Sequence, residues 1–414
     1  MARTNIPVGS PLAKKLYSVA AFAETQRRPS FRRRLTGPAP KQSGAESKLK
    51  GQTSPDYPIV QIRDLSTGAG DQVSVDLFNI ITGRPTMGDR KLAGRMMDLT
   101  FSSMDLRIDQ YRAGVDTGGR MTQKRTVHQL RGIAKANLAG YGARLEDQLA
   151  HVHLAGARGD DDGIDWAVPK ESHEEFADIV VNDVAPPSYG RYFCAGSADN
   201  VSQIGSTNII TLETIDMLRA TLDDDVFPLQ PIRLQDASGN MDPQADDNPL
   251  YLLTISSRQW YQFLQSTSGN DWRSFIANAH ARSQGWNHPL FLGETGMWNG
   301  ILVKKHNRAV RFHSGTPVKS HNSSGTVVQN EAAAPVDRAL LLGAQALAEA
   351  YGNHGTSGYH ANWHEEKVDH DNGMEVSMAF MGGKAKVRFK RQDTGLMTDH
   401  GVIAVDSYAP DPNA

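Results

Sequence analysis

The chain has 414 residues, of which 39% are hydrophobic and 22% are charged, and it contains a single cysteine, Cys194. This composition indicates a chain with a packed core rather than a disordered one. It excludes an intrachain disulfide framework, and no apolar run approaches the roughly 18 residues of a membrane-spanning helix, so no membrane partner is expected.

The formal net charge of -2 conceals an uneven distribution along the chain. Residues 1–50 contain eleven basic and two acidic side chains, a net charge of +9, which leaves -11 for the remainder. The apolar stretch at 16–23 is short and is followed by arginines, which disfavours a secretory signal peptide, whereas the Arg-rich, acid-poor composition fits a transit peptide better. A transit peptide is kept as a minor alternative. The basic segment is therefore either solvated or an arm that contacts DNA phosphates or neighbouring subunits. The candidate contact residues are Arg27, Arg28, Arg32, Arg33 and Arg34.

The first predicted strands form a long two-stranded ribbon with an irregular, glycine-containing tip. Val73, Val75 and Leu77 alternate with polar residues, and the alternation returns at Leu106 and Ile108. A two-stranded ribbon is marginally stable alone, so its apolar side chains must be covered by something. We expect these five side chains to contact another subunit.

A long helix is predicted over residues 122–157, where apolar residues recur at intervals of three and four. Gly132, Gly140 and Gly142 lie inside it, and each costs about 0.5–1 kcal/mol relative to alanine. Tertiary contacts must offset this cost, and glycine also permits the close approach of another backbone.

Shorter elements follow, mixed in type and without a regular βαβ repeat, which indicates an α+β protein. Helices are predicted over 212–222, 258–265, 272–281 and 336–351. Strands are predicted over 250–256, 300–306, 309–312, 374–380, 385–390 and 401–408. Gly382-Gly383 is interpreted as a hairpin turn and 313–334 as a polar linker.

Patterns that suggest catalysis or metal binding are incomplete. His354, His360, His364 and His370 cluster, but without the His-Glu-x-x-His spacing of a zinc protease. The acidic stretch 236–247 lacks the glycine and the final glutamate of a calcium loop. We therefore expect no catalytic, cofactor-binding or metal-binding residue and no enzymatic activity. A metallohydrolase that uses the four histidines is kept as a third hypothesis.

Several segments together resemble the N4-like family of tailed-phage major capsid proteins. The matching segments are Gly70–Leu77, Gly88–Gly94, Leu106–Arg112, Leu145–Leu149, Leu154–Gly159, Arg338–Leu347 and His400–Asp406. The chain departs from the family pattern at Arg95-Met96-Met97, where the family tends to be acidic, and at Tyr141, where a tryptophan is common.

The resemblance implies an α+β, HK97-like major capsid protein fold. Its expected parts are an N-terminal arm over 1–57, an extended β-hairpin loop over 58–116, a peripheral domain over 117–204 with the spine helix at 122–157, an axial domain over 205–350 and a C-terminal return to the peripheral domain over 351–414.

The function that the resemblance implies is that of the major capsid protein of a tailed double-stranded DNA bacteriophage. Such a chain assembles with itself, as hexamers and pentamers, into an icosahedral shell. The implied partners are packaged DNA, scaffold, portal and decoration proteins, and the implied location is the virion, with assembly in the host cytoplasm. A nucleic-acid-binding protein that acts through its basic arm remains the alternative.

Overall fold

The computed structural model describes residues 31–38, 52–62, 70–78, 84–97, 101–119, 130–162, 165–235, 242, 244–245, 247–283, 288–291, 295–306, 308–352, 361–368 and 370–412. These residues form six α-helices: α1 (Phe31–Leu35), α2 (Leu130–Ala155), α3 (Phe176–Val180), α4 (Leu212–Asp224), α5 (Ser257–Ser266) and α6 (Gly269–Ser283). They also form eighteen strands: β1 (Ile59–Ile62), β2 (Gln72–Phe78), β3 (Phe101–Arg107), β4 (Asp109–Gly119), β5 (Tyr192–Cys194), β6 (Tyr251–Ile255), β7 (Thr295–Trp298), β8 (Ile301–Lys305), β9 (Val310–Phe312), β10 (Pro317–His321), β11 (Val327–Glu331), β12 (Val336–Leu342), β13 (Leu347–Tyr351), β14 (Ala361–Val368), β15 (Gly373–Lys386), β16 (Arg388–Lys390), β17 (Met397–Asp399) and β18 (Val402–Tyr408). The predicted α+β class is confirmed.

The larger sheet has seven strands in the order β5-β18-β12-β6-β8-β7, with β9 also pairing with β12. Both faces of β12 are buried, because Leu340 and Leu342 belong to one apolar core and Ala339 and Leu341 to the other. Helices α4, α5 and α6 cover the second of these cores. The sheet is therefore the middle layer of this part of the molecule.

A second sheet of five strands supports the long helix α2. Its order is β1-β13-β15-β14, and β4 pairs with the long strand β15. Gly142 of α2 faces this sheet, where an added Cβ atom would lie 2.3 Å from the ring of Phe380. The glycine thus brings the helix backbone close to the sheet, which is the kind of contact expected to offset its cost.

The predicted ribbon is confirmed as an antiparallel hairpin of β2 and β3. The pairing runs from Gln72 opposite Arg107 to Phe78 opposite Phe101. After Arg107 the chain continues into β4, which pairs with β15 in the five-stranded sheet. Strand β1, which precedes the hairpin in the chain, pairs in parallel with β13 of the same sheet. Both ends of the ribbon are therefore anchored to one sheet.

The predicted helix over 336–351 is wrong, because these residues form β12 and β13. Both faces of these strands are buried, so their few charged residues do not recur with the two-residue period of a half-exposed strand. The two strands are separated by a short turn that includes Gln345, whose φ is +54°. A doubly buried strand and a buried helix look alike in sequence.

Two further interpretations are corrected. Gly382 and Gly383 form no hairpin turn but lie inside β15, which continues without a break from Gly373 to Lys386. An added Cβ atom at Gly383 would lie 1.8 Å from the carbonyl oxygen of Arg107, so glycine allows the hairpin base to approach the sheet. The segment 313–334 is no mere linker, because it contains the β10–β11 hairpin.

The central residues of the other predicted helices are confirmed as helical. Helices α4, α5 and α6 include the predicted ranges 212–222, 258–265 and 272–281. The predicted long helix is confirmed over Leu130–Ala155, while its predicted beginning at 122 lies outside the described residues. Among the helices that the structure describes, none is long and apolar enough to cross a membrane.

Candidate assembly surfaces

The apolar side chains of the hairpin face the body of their own chain. Leu106 is completely buried, and Val73, Val75, Leu77 and Ile108 are half-buried. The apolar cluster that they contact consists of Ile62, Ala348, Ala350, Ala385, Val387 and Phe389. Leu106 therefore has no surface left for a contact between subunits. For Val73, Val75, Leu77 and Ile108, such a contact stays a prediction that concerns only the exposed part of each side chain.

The tip of the hairpin, residues 84–97, exposes several large apolar side chains. Met87 is 68% exposed, Leu92 56% and Met96 74%. The same segment carries four basic side chains and one acidic one, a net charge of +3. Exposed apolar residues beside unpaired charge are characteristic of a surface that another protein covers.

Arg32 is buried inside the chain, where it joins α1 to the body. Its guanidinium donates to Glu349 through Nε and Nη2, over 2.5 and 2.8 Å, and also to Glu146 and Tyr351. The ammonium of Lys384 lies 3.3 Å from Glu146 Oε1 and 3.9 Å from Glu349 Oε1. Two cations and two carboxylates thus form one buried ion-pair cluster, which we call the arm anchor.

Burial and charge together set the pKa values in the arm anchor. Burial opposes ionisation of Glu349, but the neighbouring Arg32 and Lys384 prevail and hold its pKa at about 2. Burial, reinforced by the charge of Arg32, lowers the pKa of Lys384 to about 7. Glu349 is therefore ionised at neutral pH, and its charge is matched mainly by Arg32.

The arginines predicted to contact DNA or a neighbour therefore have different surroundings. The arm anchor turns Arg32 inward, so it is unavailable to phosphate in this structure. Arg34 of the same helix is exposed, and Arg33 also belongs to α1. Arg27 and Arg28 lie outside the described residues.

Two more buried ion pairs were not predicted from the sequence. Arg338 forms two 2.7 Å hydrogen bonds with Asp406, linking β12 to β18, and both side chains are fully buried. Lys386 binds Asp399 over 2.8 Å, and Arg388 lies 3.2 Å from the same carboxylate. The sequence contains one signal of a buried ion pair: a charged residue stands within an otherwise apolar run in both β12 and β18.

A pair of buried histidines joins α2 to the chain just after β8. The Nε2 atoms of His151 and His306 are 3.3 Å apart, and their ring centroids are 4.2 Å apart. Burial is the main cause that lowers the pKa of His306 to about 4 and that of His151 well below its usual value. Beside them, Arg308 donates to Asp147 over 3.0 Å. Both imidazoles are therefore neutral at pH 7.

The features considered for catalysis do not form a site among the described residues. His364 lies in β14, while His354 and His360 fall outside the described residues. Asp242 of the acidic loop forms an ion pair with Arg282 over 2.6 Å. Cys194 is buried, and burial raises the pKa of its thiol to about 12. Within the described ranges, no group of three or more candidate ligands has the geometry of a metal centre.

Comparison with known proteins identifies the family. A family model described as phage capsid protein matches residues 5–411. The chain belongs to the phage capsid protein family. A relative named major capsid protein, from Pseudomonas phage KPP25, is 24% identical over 377 residues, covering 84% of this phage capsid protein and 86% of the relative.

Solved structures agree with this family. The capsid of Ralstonia phage GP4 matches with a TM-score of 0.73 and 26% identity over the whole of both chains. The capsid of cyanophage Pam1 matches with a TM-score of 0.57 and 15% identity over 99% of both chains. The fold of this phage capsid protein is thus that of known capsid subunits, in agreement with the HK97-like fold predicted from the sequence. None of these matches supports the alternative of a nucleic-acid-binding protein.

Proposed function

We propose that this chain is the major capsid protein of a tailed double-stranded DNA phage and assembles into an icosahedral shell. The observation that carries the proposal is the end-to-end match to the capsid of Ralstonia phage GP4, together with the family match over residues 5–411. The anchored hairpin with its exposed tip supports it, because such an extension makes contacts beyond the body of one subunit.

The finer assignments follow from this function. Hexamers and pentamers of the chain form the shell, and packaged DNA, scaffold, portal and decoration proteins are its partners. The chain has no enzymatic activity, and it assembles in the host cytoplasm before it resides in the virion. The arm, the hairpin loop, the peripheral domain and the axial domain have the boundaries expected from the sequence, with the paired hairpin itself at 72–107. The exposed parts of Val73, Val75, Leu77 and Ile108 are available to a neighbour.

Electron microscopy of the expressed chain, alone or with a scaffold, tests the proposal. Shells, capsomers or tubes are the expected result. A monodisperse small monomer at high protein concentration would refute it.

The role of the arm needs a separate test. Deleting residues 1–30 removes Arg27 and Arg28 but leaves the arm anchor intact. If the arm contacts DNA, shells still form and lose salt-sensitive DNA retention. If the arm links subunits, the yield of shells falls.

A further inference from the structure

The backbone is strained where α3 ends. Val181 has φ +66° and ψ -57°, and the N–H of Asn182 donates to the carbonyl oxygen of Val180 over 2.8 Å. These angles and this hydrogen bond define the γ-turn with positive φ, which is rare and strained. A β-branched residue such as valine seldom adopts positive φ, because its side chain then crowds the backbone. Such strain persists only where surrounding contacts hold it, so the turn directs attention to those contacts.

The turn directs the side chain of Asn182 to the base of the hairpin. Its Oδ1 accepts a hydrogen bond from the N–H of Arg107 over 2.9 Å. Its Nδ2 donates to the carbonyl oxygen of Arg107 over 2.9 Å and to that of Lys384 over 3.1 Å. Paired residues of antiparallel strands also exchange both backbone hydrogen bonds, so the side-chain amide takes the place of a strand residue beside Arg107. We call these three hydrogen bonds the base clamp.

The base clamp holds the residue at which the chain leaves the hairpin and enters the five-stranded sheet. Arg107 ends β3, and Asp109 already pairs with Gly382 of β15. An added Cβ atom at Gly383 would lie 1.8 Å from the carbonyl oxygen of Arg107 and 3.2 Å from Asn182 Nδ2. Glycine therefore leaves the space in which the clamp forms.

The segment that carries Asn182 is itself fixed to the long helix. Val180, beside the strained turn, is buried in one cluster with Leu145 and Leu149 of α2, and Val184 packs against the same cluster. The base clamp thus joins the hairpin to a packed part of the body, which does not follow the hairpin if the hairpin rotates.

Apolar packing alone does not set the direction of the hairpin. The contact between its apolar side chains and the body is non-directional, so it opposes detachment more than rotation. Hydrogen bonds depend on angle and weaken steeply when donor and acceptor are misaligned. Strand β3 has seven residues, so at roughly 3.4 Å per residue a rotation of about 10° at the clamp moves the far end of the ribbon by about 4 Å. The base clamp lies where a small change of angle has a large effect.

We propose that Asn182 is a positioning residue for assembly, which fixes the direction of the hairpin so that every free subunit presents the same shape. The assembly role rests on the proposed function, and it adds the residue that makes the hairpin direction uniform. Closed shells repeat the same contacts from copy to copy, and a variable hairpin direction would join copies at variable angles. The strain at Val181 is the cost of placing this side chain, and the three hydrogen bonds of the clamp offset it.

Distances between two spin labels on unassembled subunits test the clamp. The labels are attached to Met87→Cys at the hairpin tip and Asn137→Cys on α2; both native residues are exposed, and Cys194 is buried. In Asn182→Ala, the distribution of distances should widen by about 4 Å or more, which is the displacement for a rotation of about 10°. Asn182→Asp keeps the size of the side chain but places a carboxylate oxygen beside two carbonyl oxygens, so the distribution should widen as well.

Asn208→Ala is the matched control for a loss of stability. Asn208 also joins two backbone groups, because it accepts from the N–H of Gly205 and donates to the carbonyl oxygen of Ala195 over 2.9 Å each. Neither group belongs to the hairpin. The control should lower Tm as Asn182→Ala does, without widening the distances. If both variants give the same distribution, or if Asn182→Asp keeps that of wild type, the positioning role is refuted.

Electron microscopy then relates the hairpin direction to assembly. At temperatures where thermal unfolding shows the variants to be folded, Asn182→Ala should raise the protein concentration for half-maximal shell formation by about tenfold or more, because only a fraction of its hairpins has the competent direction. Asn208→Ala should assemble as wild type does. Shells of wild-type diameter at an unchanged concentration, from a variant with widened distances, would overturn the assembly role and leave the shell function intact. Absence of wild-type particles would refute the proposed function and the assembly role together, while the label distances would still decide whether the clamp fixes the hairpin.

Discussion

Removing the guanidinium of the arm anchor should strongly destabilise the subunit. In Arg32→Ala, Glu349 loses two charged hydrogen bonds of 2.5 and 2.8 Å. Its remaining partners are Tyr351 at 2.7 Å, Gln61 at 3.2 Å and the more distant Lys384. Breaking a fully buried ion pair on one side costs about 3–5 kcal/mol. The pKa of Glu349, held at about 2 instead of 4.5, corresponds to a similar figure of about 3 kcal/mol.

The assay is urea unfolding of unassembled subunits at pH 7, followed by tryptophan fluorescence. Arg34→Ala is the matched control, because Arg34 belongs to the same helix and is exposed. The control should change the free energy of unfolding by about 0.5 kcal/mol or less. If Arg32→Ala differs from Arg34→Ala by less than about 1 kcal/mol, the arm anchor does not hold the segment as described.

The pH dependence provides a second readout of the same cluster. A carboxylate with a lowered pKa stabilises the fold above its unfolded pKa, and this contribution is lost as the pH falls towards the folded value. In wild type, the contribution of Glu349 should therefore disappear between about pH 4.5 and pH 2. In Arg32→Ala the folded pKa rises, so stability should depend less on pH in this range. Adding Glu349→Gln to Arg32→Ala should recover part of the lost stability, because the orphaned charge is then absent.

A pH change and three substitutions test the packing of helix α2. Lowering the pH from 6.5 to 4 should destabilise the subunit by about 1.4 kcal/mol per pH unit for each of His151 and His306. Their imidazoles bind protons in this range in the unfolded state, whereas burial keeps them neutral in the folded state. His306→Gln should flatten this dependence in urea titrations, and an unchanged slope would contradict the assignment. Gly132→Ala should stabilise by about 0.5–1 kcal/mol, since nothing lies within 4 Å of an added Cβ there. Gly142→Ala should instead destabilise by about 1–3 kcal/mol through its clash with the buried ring of Phe380. Thermal unfolding that gave both glycine variants the same change in Tm would refute the packing explanation.

Elements with one face in solvent could be predicted from sequence. The alternation at Val73–Leu77 indicated β2, because polar residues mark its exposed side. The predicted start of α4 at residue 212 is also confirmed, and in the structure Thr211 and Thr214 form a capping box there. β12 could not be identified, because both of its faces are buried and its two charged residues do not alternate with the apolar ones.

The arm anchor was not predictable from local patterns. Arg32 meets Glu146 and Glu349, which are 114 and 317 residues away in the sequence. In the sequence, Arg32 is one member of a basic run, and a basic run favours a surface interpretation. Only the three-dimensional arrangement of α1, α2 and β13 brings its partners together.

The position of β18 has a consequence for the timing of synthesis and assembly. β18 lies between β5 and β12, and its Asp406 is the partner of the buried Arg338. A nascent chain that has not yet released residues 402–408 from the ribosome leaves an edge of β12 open and Arg338 without its carboxylate. We expect the seven-stranded sheet to close only after those residues emerge. Translation would then separate growing chains from subunits that are ready to enter a shell.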